Sequence, residues 1–194
     1  VKPALLFALG LAAGAAAQDL ANGRDVYGPC AACHGANGEG GKQGEYPRLA
    51  GQPAAFLVAQ LEAYQQRKRQ NLPMFPYTEP RELPPADLKD VAAYLATIEL
   101  PTKLPVFTED TPALERLLAM EKVLVVPRVE GDVEAGKKLI IRRCAGCHGR
   151  TGKGKPPKAM PRLAGQYPNY LERQFEAYRR GDRVHEEEDK AEGV

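Results

Sequence analysis

The 194-residue sequence predicts an all-α protein made of two tandem copies of one small domain, and three observations carry that prediction. First, an offset of 114 residues lays Cys30, Cys33, His34 and Gly35 on Cys144, Cys147, His148 and Gly149 and then runs on without a gap. Gly38 and Gly40 meet Gly152 and Gly154, and the stretch PRLAGQ at 47–52 returns unchanged at 161–166. Further on, Gln60, Glu62, Ala63, Tyr64 and Arg69 meet Gln174, Glu176, Ala177, Tyr178 and Arg183. Such self-similarity marks a duplicated structural unit. Second, Leu57, Leu61 and Tyr64 fall at i, i+4 and i+7, matched by Leu171, Phe175 and Tyr178, which is one apolar face of an amphipathic helix in each copy. Third, 43% hydrophobic and 27% charged residues over this length suit an ordinary globular protein of two small domains. The net charge of +2 is too near balance to point to nucleic acid or an anionic membrane as partner.

Taken in order, residues 1–17 place a lysine before about a dozen apolar residues and end in small ones, the layout of a secretory signal peptide cut after Ala17. The run is shorter than the roughly 20 apolar residues that span a bilayer, which argues against an uncleaved anchor. The expectation is an exported, periplasmic protein, where paired cysteines oxidise unless otherwise engaged. The first domain reads as 18–100. Its last helix lies in PPADLKDVAAYLATIEL, opened by Pro84-Pro85, closed before Pro101, with Leu88, Val91, Ala92 and Leu95 on one side. A connection at 101–131 holds a short helix from Thr111-Pro112, read as N-cap and first-turn proline, to about Lys122. The second domain reads as 132–194 and is expected to be incomplete, without a closing helix.

All four cysteines and two of the three histidines sit in two C-x-x-C-H stretches. In that motif both thiols add across the vinyl groups of a haem, and the histidine beside the second becomes the proximal iron ligand. A redox or structural cysteine pair explains no adjacent histidine, and zinc sites space their ligands differently. Two copies, an export signal and no spare cysteine therefore predict two covalently bound haem c groups.

The paired motifs, each followed by glycines, PRLAGQ and a helix with a tyrosine and then an arginine, resemble the cytochrome c4 family of di-haem class I c-type cytochromes. The resemblance covers about 19–100 and 132–185. It implies two class I cytochrome c domains with neighbouring haems, carrying single electrons between periplasmic redox partners such as a donor and a terminal oxidase. It also implies that Pro47 and Pro161 accept a hydrogen bond from His34 and His148, fixing each imidazole. Leu49 and Leu163 would pack against the porphyrins, and Arg48, Arg162, Tyr64 and Tyr178 would meet the propionates. Met74, forty residues after His34 in NLPMFP, would be the distal ligand of the first iron. A methionine is more often core filler, but flanking prolines stiffen this loop. Histidine–methionine ligation raises the reduction potential.

Two features depart from the family. Met74 slides onto Glu188, and the connection is long. Four readings stand for the far side of the second iron. One is a methionine beyond Val194. Another is His185, thirty-seven residues after His148 and aligned with Asn71, although a surface histidine in an acidic run is the plain alternative. Met160, twelve residues after His148, is hard to bring to the opposite face. The last is an open or water-bound iron. A chain ending at Val194 is expected to hold a second haem without methionine ligation, at the lower potential. The alternative functions are an electron-accepting subunit of a periplasmic dehydrogenase and a di-haem enzyme with chemistry at the second haem. Any membrane association would come through partners or an uncleaved signal segment.

Overall fold

Helix α1 (Leu20–Val26) starts on Asp19, whose carboxylate accepts from the amides of Ala21 and Asn22, two of the donors a helix start leaves unpaired. Helix α2 (Gly28–His34) takes Pro29 into its first turn and ends at Gly35. The computed structural model describes residues 18–155 and 159–185, so the signal-peptide reading of 1–17 and position 188 lie outside it. Helix α3 (Ala54–Gln65) is followed by a 3-10 turn, Leu72–Met74, running into α4 (Phe75–Thr78). Helix α5 (Pro85–Thr97) opens on Pro84-Pro85 and buries Leu88, Val91, Ala92 and Leu95. These join Tyr27, Leu57 and Leu83 in the main core, with Leu61 packed against it. α5 crosses α1 so closely that a Cβ on Gly23 would stand 2.2 Å from the Asp90 carbonyl oxygen. The crossing is tied by the Asp19 amide to Asp90 and by the Asn22 amide group to Asp87 and Asp90.

The connection holds α6 (Ala113–Glu121), which starts later than read from the sequence. Pro112 is the extended cap residue, because the Thr111 hydroxyl is engaged with Thr108 and Arg116 binds the carbonyls of Thr108, Glu109 and Thr111. Leu124 then returns to the body, donating to the Pro101 carbonyl and burying itself with Ala50 and Leu100.

The second copy begins with α7 (Val133–Leu139), again capped by an aspartate, Asp132. Asp132 stands twelve residues before Cys144, whereas Asp19 stands eleven before Cys30. The extra residue is taken up by a π turn at Ile140–Cys144, the usual way a helix absorbs a single insertion. The uninterrupted offset of 114 thus holds from the cysteines onward and becomes 113 before them. Helix α8 (Ala145–His148) and helix α9 (Pro168–Arg180) repeat α2 and α3. The apolar face read on α9 is present but poorly covered: Phe175 is 57% exposed where its counterpart Leu61 meets the core. The cause is that no helix among the described residues plays the part of α5. None of the described helices is long and apolar enough to cross a membrane.

Candidate functional site

Each C-x-x-C-H motif ends a helix so that its histidine points inward. His34 is 5% and His148 7% exposed, and each places Nδ1 2.9 Å from the carbonyl of Pro47 or Pro161. A carbonyl only accepts, so Nδ1 carries the proton and Nε2 keeps its lone pair for a metal. Burial holds the His34 imidazole below its usual pKa, against the upward pull of the Pro47 carbonyl. The glycine loop after each motif folds back identically. The amides of Gly40 and Gly154 donate to the histidine carbonyls, and the Gly38 and Gly152 carbonyls accept from Leu49 and Ala50 and from Leu163 and Ala164. PRLAGQ is thereby pinned beneath its own histidine.

The four cysteines are half-buried, and none is joined to another in a disulfide. Both motifs open onto one cavity of about 1390 Å³. That exceeds the roughly 300–1,000 Å³ of a single small-molecule pocket, as two large groups require. Its first-copy wall includes Cys30, Cys33, His34, Leu49, Tyr64 and Met74, and its second-copy wall Cys144, Cys147, His148, Leu163, Tyr178 and His185. Tyr46 stands edge-on to His34 at 6.3 Å and pairs with Gly41; Met160 occupies the matching place, paired with Lys155.

The two copies meet through a reciprocal bridge. The side chain of Gln166 accepts from the Arg48 amide and donates to its carbonyl, while Gln52 does the same for Arg162, all at 2.9–3.0 Å. Gly51 and Gly165, at φ +68° and +75°, let the arginines cross. A Cβ on Gly165 would stand 2.6 Å from Arg48 Nη1. A second symmetric cluster lies nearby. Arg69 binds Gln60, Gln174 and Tyr170, Arg183 binds Gln174 and Gln60, and each arginine lies 4.7 Å over its own tyrosine ring, Tyr64 or Tyr178. Gln52, Gln166, Gln60 and Gln174 had no role in the sequence reading. Their signal was their exact recurrence in both copies, but a partner more than a hundred residues away leaves no local pattern.

The arginines test whether haem fits. Arg48 is 2% exposed; its Nε binds the Ala50 carbonyl, yet Nη1 is buried with no hydrogen-bond partner. Burial first, and then the like charge of Arg162, press its pKa down to about 10. A buried cation with a spare donor beside another cation calls for an anion. Arg162 lines the cavity, whereas the Arg48 guanidinium packs against Gly51 and Gly165; with a cysteine pair and a buried imidazole in each copy, the residues at the wall fit haem.

Comparison with known proteins agrees with this arrangement. The family model described as "Cytochrome c" matches residues 20–99 and 133–193. Cytochrome c4 of Pseudomonas aeruginosa is 33% identical over 183 residues, 94% of this chain and 82% of that one. A thiosulfate dehydrogenase electron acceptor of Thiomonas intermedia is 34% identical over 155 residues, 79% of this chain and 64% of that one. The solved structure of reduced cytochrome c4 from Pseudomonas stutzeri superposes with a TM-score of 0.64 at 26% identity, covering 87% of this chain and 84% of that one.

Proposed function

Because the chain belongs to the cytochrome c family, in its di-haem cytochrome c4 branch, we propose that it relays single electrons between protein partners in the periplasm, with both haems seated in the shared cavity. It holds two covalently bound haem c groups, one on Cys30 and Cys33 and one on Cys144 and Cys147, and it is an electron carrier. Bound haem supplies a one-electron couple whose potential is set by axial ligands, hydrogen bonding and burial. The chain's part is to set those three. His34 and His148, held by Pro47 and Pro161, present Nε2 to the metals. Leu49 and Leu163 exclude water. Arg48 and Arg162 neutralise carboxylates, and Met74, in the cavity wall, offers a thioether to the first iron.

The observation that carries the proposal is the glutamine–arginine bridge, which draws both motifs onto one cavity and so joins two redox sites in one body. The relative named as a thiosulfate dehydrogenase electron acceptor supports a dehydrogenase of a reduced sulfur oxyanion as donor. The acceptor is then a higher-potential protein such as a terminal oxidase. Anaerobic titration of the loaded chain should show two electrons taken up in one-electron steps. Rapid mixing with thiosulfate and its dehydrogenase should reduce the chain, while thiosulfate alone should not. Oxidation of thiosulfate by the isolated chain would favour an enzyme instead, and recovery in the cytoplasmic fraction would remove the periplasmic assignment.

A further inference from the structure

We infer that His185 is the sixth ligand of the iron held by His148, so that the second haem is gripped by two imidazoles. This deepens the carrier reading and rests on it. The first support is a distance. With metal–imidazole bonds of about 2.0 Å and each nitrogen roughly 1.2 Å from its ring centre, two imidazoles on opposite sides of one metal stand about 6.4 Å apart. The His148 and His185 ring centroids are 6.0 Å apart with the planes inclined at 40°, and both rings wall the same cavity. The observed separation is within about 0.4 Å of that span.

The path of the chain is the second support. Helix α3 ends with the Arg67 amide on the Tyr64 carbonyl and the Arg69 amide on the Ala63 carbonyl, and α9 ends with Gly181 on Tyr178 and Arg183 on Ala177. Arg67 and Gly181 both take positive φ, +59° and +77°, to make that turn. The segment through Arg183 therefore leaves its helix as the segment through Arg69 does, and in the first copy that segment leads on to Met74 in the cavity wall. His185 follows Arg183 by two residues. Its ring is set edge-on against Tyr178 at 5.0 Å, and Tyr178 is itself held under Arg183 at 4.7 Å. Met160, the rival donor, takes the position of Tyr46, which stands against the proximal histidine of its own copy.

An imidazole in place of a thioether lowers the potential, so the two haems would be unequal, with the second the better reductant. Electron paramagnetic resonance and near-infrared magnetic circular dichroism of the oxidised, two-haem chain test the assignment. The expected result is two low-spin haems, one with the sulfur-to-iron charge-transfer band and one with a two-imidazole pattern. His185→Ala should turn the second haem high-spin and let its reduced form bind carbon monoxide, and added free imidazole should restore the low-spin signal. His185→Met should keep it low-spin, double the sulfur band and raise its potential. A second haem that is high-spin or histidine–methionine ligated in the unaltered chain, or a spectrum unmoved by His185→Ala, overturns the assignment. Mass spectrometry of the same samples reports separately on the carrier reading, which fails if the unaltered chain lacks two haem additions.

Discussion

Helices α1 and α7 begin alike, on Asp19 and Asp132, and carry a glycine at the same point, Gly23 and Gly136, yet their surroundings are opposite. A Cβ on Gly23 would run into the Asp90 backbone, whereas one on Gly136 meets nothing within 4 Å. Beside Gly136, Leu139 stays in solvent at 52% exposed, where its first-copy counterpart Val26 packs against the main core. In spite of this, the two histidines are equally buried and make the same 2.9 Å bond to their prolines. The lesson is that the proximal side of each site is a local device, held by a thirteen-residue loop and the facing copy. What differs between the copies is the distal side and the stability of its surroundings.

The largest expected effect tests the equality of the motifs. Replacing Cys30 and Cys33 together, or Cys144 and Cys147 together, by Ala should each remove one haem by mass and about halve the visible absorbance per chain, since each pair supplies both thioether links of its haem. The first pair should also cost more thermal stability, because Cys30 packs against the main core. Equal losses of stability would break the comparison. Next comes the distal contrast. Met74→Ala should abolish the first haem's near-infrared sulfur band and lower its potential, leaving the second haem's spectrum in place. An unchanged spectrum would take the thioether off the iron.

The glycines should then respond with opposite signs. Gly23→Ala should destabilise by about 1–3 kcal/mol through overpacking against Asp90, while Gly136→Ala should stabilise by about 0.5–1 kcal/mol as an ordinary helix substitution. Denaturant midpoints of the loaded protein check both, and two destabilising results would mean that α7 is covered. The bridge itself can also be broken. Gln52→Ala and Gln166→Ala should each cost about 1–3 kcal/mol, because each leaves the backbone amide and carbonyl of the facing arginine unpaired. A double-mutant cycle should show coupling, since both glutamines hold one interface.

Much of this molecule was legible in its sequence because the signals are short-range. The apolar face of α5, the proline start of that helix and the loop from His34 to Pro47 are all written within a few turns of chain. The start of α6 was misread because Thr111, a good cap by type, spends its hydroxyl on Thr108. The apolar face of α9 was legible as a face, but periodicity reports which residues could be covered and not what covers them. The extra residue before Cys144 escaped notice because the repeat is faint there, and a π turn hides an insertion without disturbing the motif that follows.

By itself the sequence determined the duplication, the two haem attachments and the helical class. Each follows from residues close together in the chain, where covalent geometry and helical period leave few arrangements. Only the tertiary structure decided that Gln52 meets Arg162 and Gln166 meets Arg48, across 110 and 118 residues. It alone left Arg48 buried with a spare donor, opened Gly136 to solvent where Gly23 is closed in, and brought His185 within 6.0 Å of His148. Those outcomes depend on how two folded copies dock and on which face each helix finds, and docking is settled by surfaces that exist only once the chain has folded.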